Sequence, residues 1–306
     1  MNPFKFSDDN KRYHTLSYHN KHTYGRKVYK AVIDAGFTCP NIDGSKGKGG
    51  CIFCDGGSGY FTTACVSVTE QLKLEYERIR KKVPDASVIA YFQAHTNTYA
   101  PIYVLRKLYN EAVYFGVDGI SVATRGDCIN SEVVALLKEI KVPVTVELGL
   151  QSIHHKTAEL INRGHTYDEF INGYRLLKES GIRVCVHIIN GLPYETEDMM
   201  LKTAEVLGKL KPDGVKLHLL HVIEGTRLAK MYEQGEYKPL TKDEYVDITV
   251  KQLELLPPET VIERITGDGD KSKLIAPLWS MDKISVLGAI DVTQRERDSF
   301  QGKKYL

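Results

Sequence analysis

The sequence predicts an α/β fold: a partial (β/α)6 TIM-like barrel with a basic N-terminal segment and a C-terminal α/β extension. Three observations carry this. Short β-branched runs alternate with longer amphipathic stretches, the pattern of a parallel sheet under covering helices. The strand–helix units number six, short of the eight that close a full barrel. Polar and unusual residues gather directly after the runs, where parallel strands wound in one hand present their ligands.

Strands are expected at 27–35, 87–93, 119–124, 142–149, 183–190 and 214–220. A helix over 68–83 opens on Ser67 and Glu70, spaced as a capping box, and stops at Pro84. Pro101 opens the next helix in the tolerated first-turn position. Others cover 131–140, 168–180 and 196–210, with Gly181 and the turn at 211–214 as stops. Beyond residue 223 the pattern changes to a helix over 242–256, a short strand over 261–265, a turn at 267–270 and a helix over 283–297. The chain therefore divides into a segment 1–27, a barrel 28–223 containing a cysteine loop 36–65, and a segment 224–306 that covers the barrel's open side.

With 42% hydrophobic residues over 306 positions the chain can bury a sizeable core. No apolar run approaches the roughly 20 residues that span a bilayer, and MNPFKFSDDNKRYH lacks the apolar centre of a secretory signal. A cytoplasmic location is the expectation. Net charge is only +2, yet 10–33 holds no acidic residue. Lys11, Arg12, Lys21, Arg26, Lys27 and Lys30 alternate there with histidines and tyrosines. Such a stretch can neutralise phosphates and stack on bases, or it can be an arm that packs its tyrosines on the barrel.

Cys39, Cys51 and Cys54 crowd into a glycine-rich stretch after the first strand, eleven residues separating the first two and two the last pair. A two-residue gap lets both thiolates turn toward one metal centre, and thiolates ligate iron–sulfur clusters. Three ligands leave one iron of a four-iron cluster open to a small molecule. A zinc site completed by Cys65 or a histidine explains Cys51 and Cys54 equally well. Cys65, Cys128 and Cys185 read as buried or incidental thiols, Cys65 being the one of the three that could serve as an extra ligand or reactive thiol.

His95, Thr96 and Asn97 follow the second strand, Arg125 and Asp127 the third, Gln151 the fourth, and Gly191-Leu192-Pro193 the fifth. Over roughly residues 28–228 these features resemble the radical-SAM superfamily, in the branch of the Elongator catalytic subunit and the oxygen-independent coproporphyrinogen oxidases. The long cysteine spacing, YFQAHTNTYAP at 91–101 and GDGDKSKLIAPLW at 267–279 carry the likeness. The resemblance implies a [4Fe–4S] cluster on Cys39, Cys51 and Cys54, with Phe53 in the usual aromatic place. It implies S-adenosylmethionine (SAM) along the strip Gln93 to Thr96, with Glu147 at the ribose hydroxyls and Gln151, Arg163, His187 and Asn190 at further contacts. His95, Asn97, Tyr99, Arg125 and Asp127 are expected to face substrate, with His218, His221 and Glu224 as a second set.

The activity so implied is reductive cleavage of SAM to a 5′-deoxyadenosyl radical, with an electron donor such as flavodoxin or ferredoxin. The Elongator branch implies transfer RNA, sharpest at the C5 substituent of a wobble uridine, with the basic aromatic N-terminal segment as the RNA contact. No acetyltransferase-like domain follows the barrel in this chain, so a change to an already installed side chain is expected. Two other readings stand beside it: a radical-SAM enzyme acting on a metabolite or tetrapyrrole, and a zinc-stabilised RNA-binding protein without catalysis.

Overall fold

The computed structural model describes residues 2–55, 66–267 and 269–305; Cys65 lies outside the described residues. After α1 (Leu16–Tyr24) the chain runs β1 (Val28–Ile33), α2 (Val68–Arg80), β2 (Ser87–Phe92), α3 (Ile102–Phe115), β3 (Gly119–Arg125), α4 (Ser131–Glu139) and β4 (Val144–Gln151). It continues through α5 (His155–Leu160), α6 (Tyr167–Glu179), β5 (Arg183–Asn190), α7 (Glu197–Leu210) and β6 (Gly214–Leu219). Then come β7 (Val222–Ile223), α8 (Arg227–Glu233), α9 (Lys242–Leu255), β8 (Val261–Ile265), β9 (Leu274–Ala276) and α10 (Lys283–Glu296). The capping box expected at Ser67 and Glu70 is present, and Thr166–Glu169 and Thr241–Glu244 repeat it on α6 and α9. Each cap contributes about 1 kcal/mol to its helix.

The barrel has the expected units and one strand more. Seven strands lie in the order β1-β2-β3-β4-β5-β6-β8, all neighbours parallel. The strand at 261–265, expected in the covering segment, instead joins the barrel beside β6, with Gly214 in register with Val261. The reason is that α9 is long enough to serve as one more crossover helix, and parallel pairing needs such a connection.

Alternation along the strands sorts the two faces. Val146, Leu148 and Leu150 of β4, Val184, Val186 and Ile188 of β5, and Val215, Leu217 and Leu219 of β6 point outward into the apolar layer under the helices. The residues between them, Glu147, His187 and Lys216, point inward. The sheet curls until its first and last strands meet side chain to side chain, Lys30 Nζ lying 3.2 Å from Glu263 Oε2.

The N-terminal segment closes the seam that remains. Thr15 bridges to Ile262 on the free edge of β8, and the Ile262 N–H donates to the His14 carbonyl at 2.8 Å. Covering this edge removes an open row of backbone donors and acceptors. His19 of α1 lies against Gly181, Arg183, Lys211 and Asp213, which precede or begin strands. The segment is thus the floor of the barrel, at the opposite end of the strands from the cysteine loop. Three of its cations pair with acids elsewhere in the chain, Lys11 with Asp291 at 2.6 Å, Arg12 with Asp298 at 2.9 Å and Arg26 with Asp118 at 3.0 Å, and Lys21 pairs with Asp8 inside the segment. The fold therefore packs this segment on the barrel, with Tyr13 buried and most of its cations in ion pairs.

Candidate active site

A cavity of about 420 Å³ opens at the C-terminal ends of the strands, within the range of small-molecule and cofactor sites. Cys39, Cys51 and Cys54 all line it. The loop that carries them is stitched down by backbone bonds, Ile42 N–H to Cys39 O at 2.8 Å and Gly50 N–H to Asn41 O at 2.8 Å. Gly49 and Gly50, at φ +77° and +68°, take the left-handed turn that returns the chain to Cys51. Ile52 then bonds to Ile161 and Leu228, fixing the second thiol pair between α5 and α8.

The donor set fits a thiolate-bound centre. Burial, and then the neighbouring thiols of Cys54 and Cys39, push the Cys51 thiol up to about 11. Bare thiolates gathered here repel one another, and cationic iron would relieve that. N–H donors are aimed at two of the sulfurs: Asn41 Nδ2 lies 3.9 Å from Cys51 Sγ, and Arg125 Nη1 lies 3.8 Å from Cys39 Sγ. Among the described residues no three His, Cys, Asp or Glu side chains sit close enough to hold one metal ion. Three thiols at one mouth suit a polynuclear centre, in which each cysteine takes its own iron.

The sequence-derived residues divide into two groups. Phe53, Gln93, His95, Thr96, Arg125, Glu147, Gln151, Arg163 and His187 reach the cavity with the three cysteines, and so do His218 and His221. Asn97, Tyr99, Asp127, Asn190 and Glu224 do not. Asn97 is fully buried and donates its amide to Ala94 O and Ala123 O. Tyr99 donates to Ser45 Oγ at 2.9 Å, tying the cysteine loop to the turn after β2. Asn190 exchanges amide bonds with Gln252 at 2.8 Å under α9. Asp127 grips Arg125 through two bonds of 2.9 Å and also pairs with Lys46; against burial, these cations hold its carboxyl at about 2.

Glu147 and Arg163 are both buried at the cavity wall and bonded within the protein. Glu147 is 1% exposed and accepts from Lys30 at 2.5 Å, Ser121 at 2.8 Å, Tyr91 at 2.8 Å, His187 at 2.8 Å, and Lys216. Burial alone would raise its pKa, but Lys216 and Lys30 hold it well below the usual range. A carboxylate with five donors is the hub of the barrel interior. Arg163, 2% exposed, donates to the carbonyls of Leu150, Ser152 and His165 and so fixes the end of β4 against the turn before α6.

Backbone strain gathers around the same mouth. His95 after β2, Gln151 at the end of β4 and Thr266 after β8 all have positive φ, at 60°, 60° and 78°. Such conformations are held only where packing over-determines them, and they concentrate at functional sites. Gln151 also sits on a register shift between β4 and β5. Its amide lies where a Gly149 Cβ would be, 2.5 Å away.

Sequence reasoning missed Tyr91, His165, Lys216 and Arg264, all of which line the cavity. Lys216 and Tyr91 sit mid-strand rather than at strand ends, so only the inward phase of the alternation could have marked them. Burial, then Arg163 and Arg125, lower His165 to about 3, leaving it a neutral ring beside the cysteine loop.

A partial barrel whose strand ends and cysteine loop share one cavity defines a cofactor-dependent α/β enzyme class. Residues 44–207 match the radical SAM superfamily domain and residues 212–295 the Radical_SAM C-terminal domain. The chain belongs to the radical-SAM superfamily and is an enzyme of it, in the branch of Elp3. It is 46% identical over 310 residues to the uncharacterized protein YtqA of Bacillus subtilis, covering 99% of this chain and 95% of that protein. It is 34% identical over 163 residues to a tRNA uridine(34) acetyltransferase of Methanocaldococcus jannaschii, 52% of this chain and 30% of that protein. The archaeal Elp3 of Methanocaldococcus infernus, with its N-terminus deleted, superposes with a TM-score of 0.69 at 19% identity, over 90% of this chain and 64% of that one, a likeness of fold. The superfamily implies SAM and a [4Fe–4S] cluster as cofactors.

Proposed function

We propose that this radical-SAM enzyme acts on transfer RNA, at the C5 substituent of the wobble uridine, with Cys39, Cys51 and Cys54 as the cluster ligands. The observation that carries the ligand assignment is the convergence of three cysteines on the cavity into which the strand ends open. The tRNA reading is supported by the 34% identity to a tRNA uridine(34) acetyltransferase. When bound, the cluster and SAM supply one-electron reductive cleavage of SAM to a 5′-deoxyadenosyl radical, fed by a flavodoxin- or ferredoxin-type donor.

The chain's own residues orient and enclose. Gln93 to Thr96 present backbone at the end of β2, where SAM's amino group would be received, and the strained His95 turns that strip into the cavity. Gln151 offers an amide oxygen without a partner among the described residues. His187, pushed down by burial and then by Lys216, is a neutral ring bonded to Glu147 and so fixed in orientation. His218 and His221 also line the cavity and are available to substrate. Burial is the first cause keeping both neutral, so either can donate or accept a hydrogen bond.

The test compares transfer RNA nucleosides, by mass spectrometry, from cells with and without this protein, then treats the deficient tRNA with reconstituted enzyme, SAM and reductant. A C5-substituted uridine that accumulates without the protein and is converted with it, alongside 5′-deoxyadenosine, supports the reading. Formation of 5′-deoxyadenosine with every tRNA nucleoside unchanged overturns it and turns the search to a metabolite or tetrapyrrole.

A further inference from the structure

Arg125 stands at the end of β3 with its guanidinium held from every side. Nε and Nη2 clasp Asp127 at 2.9 Å each, Nη1 donates to Arg163 O at 2.9 Å, and Nη2 donates to Gly164 O at 2.9 Å. The side chain has no freedom left, and the same Nη1 lies 3.8 Å from Cys39 Sγ. Asn41 is held in a similar way. Its Nδ2 donates to Asn162 O and lies 3.9 Å from Cys51 Sγ. Its amide also occupies the space a Cβ on Gly164 would take, 2.5 Å away. The turn 162–164 after α5 therefore locks two N–H donors onto two of the three sulfurs.

We propose that Arg125, with Asn41, is a tuning device: a fixed cation and a pair of N–H···S contacts that raise the reduction potential of the cluster. The proposal rests on the ligand assignment above. Reduction adds one electron to the oxidised cluster with no proton, so the site becomes one unit more negative. A positive charge and N–H donors beside the sulfurs stabilise that state more than the oxidised one. Asp127 faces the guanidinium from the side away from Cys39 and partly offsets its charge. The two residues are therefore levers of opposite sign. Arg125 acts through the cluster and touches no reacting atom in this role; it is a positioning residue for the redox centre.

The experiment is a dithionite titration of the anaerobically reconstituted full chain with mediators, followed by electron paramagnetic resonance, on wild type, Arg125→Gln, Arg125→Lys and Asp127→Asn. At unchanged iron content, Arg125→Gln is expected to titrate at a more negative potential than wild type, with Arg125→Lys between them. Asp127→Asn is expected to move the other way, which general damage to the loop would not produce. If Arg125→Gln holds no iron, Asp127→Asn decides alone. Superimposed titrations at full iron content, or a negative shift in Asp127→Asn, overturn the tuning role and leave the ligand assignment intact. A wild-type chain that takes up no iron overturns the ligand assignment, and this proposal with it.

Discussion

Tyr91 donates its hydroxyl proton to Glu147 at 2.8 Å, joining β2 to β4 through the middle of the barrel. Around that bond stand Lys30, Ser121, His187 and Lys216, all directed at the same carboxylate. A complete barrel fills this space with branched apolar side chains. Here the open curl is held by charge, and the charge is buried.

Removing one partner from such a network leaves the others uncompensated. Glu147→Gln is expected to lower unfolding stability by about 3–5 kcal/mol near neutral pH, read by denaturant melts. The sign with pH follows from the depressed folded pKa of Glu147. Its contribution is present above the ordinary carboxyl value of about 4.3 and is lost as pH falls below it toward the folded value. The wild type should therefore lose stability on acidification faster than Glu147→Gln. Equal acid slopes would contradict this account of the interior.

Gly173 of α6 packs directly on the turn at 126–128. A Cβ there would sit 2.2 Å from the Gly126 carbonyl oxygen, a backbone atom that cannot swing away. Gly173→Ala is expected to cost about 1–3 kcal/mol and to push Asp127 off Arg125. Thermal melts read the first effect and iron retention after reconstitution reads the second. A stable Gly173→Ala with wild-type melting would show that the α6 contact is looser than described.

Arg163 holds three carbonyls with its buried guanidinium. Its truncation to alanine is expected to destabilise by about 1–3 kcal/mol through the acceptors left unpaired. Arg163→Lys should recover little, because one ammonium cannot span the same fork. A variant with native melting and weakened SAM binding would return Arg163 to the cofactor role its sequence position implied.

Lys11 and Arg12 pair with Asp291 and Asp298 across the floor of the barrel. Replacing both by alanine is expected to lower the melting temperature modestly, surface pairs contributing about 0.2–1 kcal/mol each and the more buried Lys11–Asp291 the larger share. Retention of tRNA in a native gel should be unchanged. Loss of retention in a folded variant would restore the N-terminal segment as the RNA contact.

The barrel was legible because parallel strands write a strong signal: β-branched runs, capping boxes such as Ser67–Glu70, and a cysteine loop after the first strand. What was not legible depends on long-range geometry. Strand 261–265 was placed correctly as a local element, yet only the closing curl decides that it pairs with β6. Asp8 and Asp9 are the acids nearest in sequence to Lys11 and Arg12, yet their ion-pair partners are Asp291 and Asp298, found only through the fold. Glu147 was singled out for its position in a motif. Its saturation by five donors depends on Lys30 and Lys216, far away along the chain. Asn97 and Asn190 show the general difficulty, since a polar residue at a strand end serves equally to bind a ligand or to satisfy the backbone beside it.

The most direct test is the iron content and absorbance spectrum of the chain reconstituted with iron and sulfide without oxygen. Wild type and Cys128→Ala should each bind about four irons per chain with a brown iron–sulfur absorbance, and Cys39→Ala, Cys51→Ala and Cys54→Ala should each lose both. Tightly held zinc with no iron uptake, or four irons retained in Cys51→Ala, would contradict the assignment of these three thiols.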